Sequence, residues 1–323
     1  MMEDRITISQ FEKGQKVQGI FFVKDCACKL TNGSNAKFLD MNLMDKTGTI
    51  NAKLWDCKCG QEQIIKENIL VNVKGNIVDW KGKLQFKIDV ITPVGEDEEI
   101  NAEDYIPVAP ISAMTMYEDI LRYKDEIKND DIKRIVENIL EKTGSKIMHY
   151  PAAKSNHHAL RSGLLYHTTT MLKAGEALSK IYTFIDTDLL YAGIILHDIA
   201  KTQEMHSNNL GIVDEYTVEG QLLGHIIIGV RNIEVAANEV NADKEVSMLL
   251  QHMVLSHHYE AEYGSPKKPM FPEAELLHYL DILDARMYDM NKAMASTETG
   301  TFSDKIWSLE NISIYKNNIN REK

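Results

Sequence analysis

Cysteine is scarce in this chain: four residues in 323, at positions 26, 28, 57 and 59. A disulfide scaffold packs more of them into a shorter sequence, so none is expected. Long apolar runs are missing too, and nothing approaches the ~20 residues that span a bilayer. The N-terminus, MMEDRITISQFEKGQK, has no basic region followed by an apolar one. A signal peptide and a membrane partner are therefore not expected, and a cytoplasmic protein is. Internal repeats and low-complexity tracts are also absent. Positive charge is short, and unevenly so. The net charge is −12, but residues 1–95 carry 14 Lys/Arg against 11 Asp/Glu, whereas residues 96–323 carry 22 against 37. An acidic second part is a poor general polyanion binder. If it handles nucleic acid it needs a metal ion or a local basic patch, and the front part is better suited to grip. Histidine is missing from the front altogether: all 11 lie between His149 and His278. That clustering points to a site in the second part.

What is present reads as two modules, which the length allows. The balance of 44% hydrophobic and 26% charged residues is that of a globular chain. KVQGIFFVKDCACKL alternates apolar and polar residues, the period of a half-buried strand. AKFLDMNLMDKTGTINAKLWD adds two alternating runs around a DKTG turn, and two more runs meet around DWKGK. Short strands at this spacing predict a small five-stranded barrel over residues 1–94. Phe21 and Phe22 are adjacent, so one is expected to point in and the other out. Residues 95–144 read as an acidic linker with Pro107 and Pro110, then connecting helices. The second helix is expected to start at Asp130 or Asp131 and to stop at Gly144. Helical spacing then runs through residues 145–300. Residues 301–323 are mixed and are expected to pack on the helical domain.

Five of those helical segments carry a polar group in an apolar setting: SGLLYHTTTML, AGIILHDIAK, EGQLLGHIIIG, MVLSHHYE and LLHYLDILDARM. They contribute His167, His197 and Asp198, His225, His257 or His258, and Asp281. A lone histidine on an apolar face is more often a satisfied core group than a ligand. Five in succession alter that balance, because buried polar groups must be satisfied and a shared metal satisfies them together. Imidazole and carboxylate without thiolate suit Mn, Fe, Co, Ni, Zn or Mg. Adjacent helical residues point ~100° apart, so His197 and Asp198 do not approach one ion from the same side.

The ordered set over residues 145–295 resembles the HD domain, a superfamily of metal-dependent phosphohydrolases. By that resemblance His167, His197, Asp198 and Asp281 form one metal site. His225 and His257 complete a second, sharing Asp198, with His258 as the alternative to His257. The resemblance also makes Asp198 catalytic and has Lys201, one turn after His197, face the phosphate. His157, His158 and Arg161, in AAKSNHHALRSGLLYH, then line the phosphate path; the alternative is a loop capped near Ser155 or Asn156. His149, His206, His252 and His278 read as structural.

The front module resembles nucleic-acid-binding OB-folds. Phe38 and Trp55 are stacking candidates and Lys53 a phosphate contact, with barrel core as the alternative for the aromatics. Trp80, in a hairpin beside KGK, is a further contender. The two C-x-C pairs end up at one pole of such a barrel, but zinc usually takes wider spacing, and reduced thiols are the simpler reading.

An OB-fold ahead of an HD domain resembles, over nearly the whole chain, the YhaM family of 3′→5′ exoribonucleases. The segment GTFSDKIWSLENISIY resembles that family's C-terminal signature. Tyr259 departs from the pattern, standing where glycine is usual. The resemblance implies a multidomain protein, an all-β barrel followed by an all-α HD domain. It implies hydrolysis of single-stranded RNA, with single-stranded DNA as a second candidate, from the 3′ end to nucleoside 5′-monophosphates. Two divalent ions are implied, manganese by preference, and a homo-oligomer is expected. The alternatives are an HD phosphohydrolase for small nucleotides and a nucleic-acid-binding protein with an inactive HD domain.

Overall fold

The alternating runs form five strands: β1 (Lys16–Leu30), β2 (Lys37–Asp45), β3 (Gly48–Leu54), β4 (Leu70–Trp80) and β5 (Lys83–Pro93), with a short helix α1 (Gln61–Ile64) between β3 and β4. The structure, a computed structural model, describes residues 6–31, 36–55, 57–95, 100–154, 158–208 and 210–319. The strands close into a barrel in the order β1-β2-β3-β5-β4. β3 and β5 are parallel and the other pairs antiparallel. Five strands in that order, with a helix before β4, make an OB-fold.

Period-two alternation sends Leu39, Met41 and Leu43 of β2, and Ile50, Ala52 and Leu54 of β3, into the barrel. Phe11, Phe21 and Phe86 meet edge-to-face there, with ring centroids 5.9 Å apart. Phe21 belongs to this core; Phe22 lies outside it but is buried as well, where an exposed ring was expected. The DKTG turn is closed by Asp45, whose carboxylate accepts from Thr47 N at 2.8 Å and Gly48 N at 3.2 Å. The β4–β5 hairpin turns through Lys81 and Gly82, both at positive φ, the conformation of a two-residue turn that matches strand twist.

The second unit, Ala109–Lys323, follows the barrel unit Met1–Val108. It contains α2 (Ala113–Glu126), α3 (Asp130–Thr143), α4 (Gly163–Ser179), α5 (Thr187–Leu196), α6 (Lys201–Glu204), α7 (Val218–Glu239), α8 (Lys244–Ser256) and α9 (Pro272–Ser296). One hairpin, β6 (Met205–Ser207) with β7 (Val213–Tyr216), interrupts the helices. α5 is apolar nearly all round, as a central helix must be, and Leu190 to Leu196 are all buried. α2 and α3 do more than connect: Met116, Ile120, Tyr123, Ile135 and Val136 lie in the same core. Part of the acidic stretch ahead of them, 96–99, falls outside the described residues.

Helix starts follow capping chemistry. Asp186 caps α5, Thr217 caps α7 and Asp243 caps α8, each accepting from backbone N–H groups of the first turn. α3 is capped by Asn129, one residue before the expected aspartates, which take up its first turn instead; Gly144 ends it as expected. The C-terminal stretch folds back through bridges Phe302–Tyr315 and Ile306–Ile312, with Leu309 buried. Arg286 of α9 pairs with Glu310 at 2.8 Å. Among the described residues no helix is long and apolar enough to cross a membrane.

Candidate metal centre

Six helices deliver the groups. His167 lies one turn into α4, His197 and Asp198 end α5, Lys201 opens α6, His225 sits in α7, His257 ends α8, and Asp281 belongs to α9. His167, His197 and His257 are fully buried, Asp198 is 3% exposed and Lys201 9%. These are depths at which charge survives only when paired.

Asp198 divides the site. Its Oδ1 faces His225 Nε2 at 3.3 Å and His257 Nε2 at 3.8 Å. Its Oδ2 faces His197 Nε2 at 3.4 Å and His167 Nε2 at 3.9 Å, and accepts from Lys201 Nζ at 2.6 Å. Asp281 Oδ1 lies 3.2 Å from His167 Nε2. Two groups of potential ligand atoms share Asp198: His167, His197 and Asp198 on one side, and Asp198, His225, His257 and His258 on the other; a third, His158, His167 and Asp284, lies beside the first. The structure thus brings His257 and His258 to the same group, where the sequence offered one or the other.

The tautomers follow from the partners. Nδ1 of His197 faces Ile194 O at 2.8 Å, and that of His257 faces Val254 O at 2.7 Å. Nδ1 of His167 meets Asp284 Oδ2 at 2.7 Å, and that of His225 meets Glu204 Oε1 at 3.1 Å. A carbonyl or ionised carboxylate can only accept, so each Nδ1 donates and each Nε2 is the nitrogen left to face a cation or a proton. These nitrogens converge, with His167 Nε2 and His197 Nε2 3.3 Å apart. Asp198 Oδ1, His225 Nε2 and His257 Nε2 are buried without a hydrogen-bond partner. Three acceptors turned on one another with no donor between them repel; a cation removes that cost. The donor set, imidazole nitrogen with carboxylate oxygen, fits a divalent ion.

Charge tells the same. Burial pulls the His167 imidazole down, but Asp281 and Asp284 outweigh it and push it up to about 10. Burial pushes Asp281 and Asp198 up, yet His167 for the first and Lys201 for the second hold both well below the usual carboxylate range. Burial, with His258 and His197 nearby, depresses His257 and keeps it neutral.

Two groups in the site went unnoticed in the sequence. Asp284 follows Asp281 by one turn of α9, and Glu204 follows Lys201 by one turn of α6; both look like solvated charges in a linear reading. Gly224, at φ +70°, breaks α7 just before His225. His225 N–H, freed by that break, donates to Glu204 Oε1 at 3.0 Å. Gly163 has its own reason to be glycine: a Cβ there would lie 1.9 Å from His158 O.

The candidates for substrate contact fare differently. His157, with the capping candidates Ser155 and Asn156, lies outside the described residues. His158 is 1% exposed and its Nε2 meets Asp284 Oδ2 at 2.7 Å, so it braces the centre from within. Arg161 is half-buried beside Gly211, in the β6–β7 connection. In the barrel, Phe38 is buried under Trp55, their rings stacked at 4.7 Å, while Trp55 is 39% exposed. Lys53 Nζ lies over both rings at 5.4 and 5.2 Å. Trp80 is 61% exposed and edges a cavity of about 450 Å³ with Lys83 and Gln85. The four thiols are free; Cys26 and Cys57 pack on the barrel core while Cys28 and Cys59 are exposed. None of the potential metal-holding groups among the described residues includes a thiol. His278 is structural, its Nδ1 donating to His257 O at 2.7 Å.

Comparison with known proteins places this geometry. A model of the HD domain family matches residues 164–286. The chain is 42% identical over 306 residues to the 3′-5′ exoribonuclease YhaM of Bacillus velezensis, covering 94% of this chain and 96% of that one. It is 42% identical over 306 residues to the 3′-5′ exoribonuclease YhaM of Bacillus subtilis, with the same coverage of 94% and 96%. Among solved structures it is similar to the second OB-fold domain of replication protein A from Methanococcus maripaludis, at 18% identity and TM-score 0.24, over 29% of this chain and 98% of that one. That likeness carries no weight in assigning the barrel, which rests on strand order. By its identity to these relatives along almost its whole length, the chain belongs to the YhaM family of 3′-5′ exoribonucleases.

Proposed function

We propose that this protein is a metal-dependent 3′→5′ exoribonuclease that shortens single-stranded RNA, releasing nucleoside 5′-monophosphates. The observation that carries it is the set of buried, unpartnered acceptors, Asp198 Oδ1, His225 Nε2 and His257 Nε2, inside a ring of imidazoles and carboxylates.

Two divalent ions suit the two groups of ligand atoms, and manganese is the proposed metal. His167, His197, Asp198 and Asp281 would hold one; Asp198, His225, His257 and His258 the other. Bound there, the pair supplies positive charge to a phosphodiester and acidifies a water. The chain's own residues do the rest. Asp198 presents one oxygen to each half. Lys201 keeps that carboxylate ionised and places a second positive charge beside it. The apolar core around α5 keeps bulk water away, so these charges act at low dielectric.

The barrel supplies grip. Trp55, backed by Phe38 and flanked by Lys53, offers a face for a base and a cation for a phosphate, and Trp80 a second face. Stacking does not read the 2′-hydroxyl, so single-stranded DNA is a proposed second substrate. Self-association is also proposed, supported by Tyr279, Ile282, Leu283 and Met287, exposed on one face of α9.

The test is a 5′-labelled single-stranded RNA with Mn²⁺, comparing wild type with Asp198→Ala. A ladder shortening from the 3′ end, absent in the variant, is expected. Intact RNA in the presence of folded, manganese-loaded wild type would overturn the proposal.

A further inference from the structure

The chain holds the far nitrogens of His167, His197, His225 and His257 in two ways. His197 and His257 use backbone carbonyls three residues back, Ile194 and Val254. That hold is local and comes with the end of the helix. His167 and His225 use side-chain carboxylates from other elements, Asp284 of α9 and Glu204 of α6. One half pairs His197 with His167; the other sets His225 beside His257 and His258, whose Nδ1 faces the Tyr263 carbonyl at 2.7 Å.

Neither carboxylate oxygen involved is spare. Asp284 Oδ2 accepts from both His158 Nε2 and His167 Nδ1, each at 2.7 Å. Glu204 Oε1 accepts from His225 Nδ1 at 3.1 Å and from His225 N at 3.0 Å. The second contact matters because Gly224 breaks α7. His225 then begins a new helical segment whose first N–H has no carbonyl to reach, and Glu204 caps it. One carboxylate therefore fixes both the backbone and the ring of His225.

We propose that Asp284 and Glu204 are positioning residues, one for each metal ion: Asp284 sets His167 and Glu204 sets His225 as Nε2 ligands. A carbonyl fixes a tautomer, whereas a carboxylate also makes the ring a stronger base, and so a stronger ligand. The pairing gives each half one imidazole strengthened by a distant charge, so each ion depends on a different tertiary contact. This rests on the two-ion centre proposed above.

The test is Mn²⁺ binding to the full-length protein, followed by the electron paramagnetic resonance of free manganese. Wild type is expected to bind two ions. Glu204→Ala should weaken one of them by about 10–100-fold and leave the other unchanged, and Asp284→Asn should do the same for one ion. Glu204→Gln keeps an oxygen acceptor and should lose less than Glu204→Ala. The cycles assign the ions: in a His225→Ala background Glu204→Ala should cost nothing further, whereas in a His167→Ala background it keeps its full effect. Asp284→Asn should show the reverse pattern. A merely structural role would weaken both ions in every background, and that result overturns the proposal, as does unchanged affinity for both ions. If an alanine variant fails to fold, Glu204→Gln and Asp284→Asn carry the same cycles. A folded wild type that binds fewer than two ions would instead overturn the two-ion centre, and this inference with it.

Discussion

Single residues show where type and conformation pull against each other. Tyr259 has φ +66°, in the left-handed region that suits the glycine expected at this place from the resemblance. Its ring is kept busy, stacked on His278 at 4.7 Å with Lys268 Nζ 4.3 Å from its centroid. A Cβ in this region costs about 1–2 kcal/mol. Tyr259→Ala keeps that cost and loses the ring, whereas Tyr259→Gly loses the ring and sheds the cost. Urea unfolding should therefore find the glycine variant more stable than the alanine variant by about 1 kcal/mol; the opposite order would show that the backbone bears no strain here. The thiols give a pH-dependent prediction. Burial, then the charge of Asp25, pushes Cys26 up to about 11. The thiolate is the nucleophile, so at pH 8 iodoacetamide should label exposed Cys28 and Cys59 well before Cys26, which reacts only as pH approaches that value. The unfolded thiol ionises earlier, so this group's contribution to barrel stability is full below its ordinary value and lost as pH rises toward 11. Equal labelling of all four at pH 8 would contradict the burial.

At the scale of elements, the ligands depend on how their helices begin. α4 starts at Gly163 because the backbone of His158 leaves no room for a Cβ. Gly163→Ala must displace that carbonyl, at a cost of about 1–3 kcal/mol. Since His167 lies one turn on, manganese affinity should fall with the denaturation midpoint; a variant with unchanged midpoint would mean the loop yields freely. α5, which carries His197 and Asp198, is capped by Asp186 through Asp188 N at 2.9 Å and Leu189 N at 3.2 Å. Asp186→Ala should destabilise the protein by about 1 kcal/mol in the same measurement. The type of these elements was legible from periodicity: five strands around two turn signals, then helices. The hairpin β6–β7 was not, since strands of three and four residues are too short to show a period. The break at Gly224 was not either, because EGQLLGHIIIG reads as one helix until the backbone turns at that residue.

For the whole molecule, the candidate metal centre lies in one unit, so metal should stabilise only that one. Ions that bind the folded helical unit and not the unfolded chain contribute about 2.7 kcal/mol per site at 100-fold excess over Kd. Chelation should lower the thermal transition of that unit and leave the barrel's transition in place; no change in either would argue against a filled centre. RNA binding should weaken steeply with salt if the barrel's lysines meet phosphates. The linear order of His167, His197-Asp198, His225, His257-His258 and Asp281 was enough to predict a metal centre and its helices, because a polar group in an apolar run needs a partner wherever the chain places it. Partner choice was not in that order. That His158 turns inward to Asp284, that Glu204 reaches His225 across the hairpin, and that His257 and His258 share one group are decided by contacts between residues up to 126 positions apart. Local sequence sets periodicity, caps and which groups cannot stay alone in the core. Which carboxylate meets which imidazole depends on where the helices cross, and that is settled only when the apolar faces of the whole unit pack together.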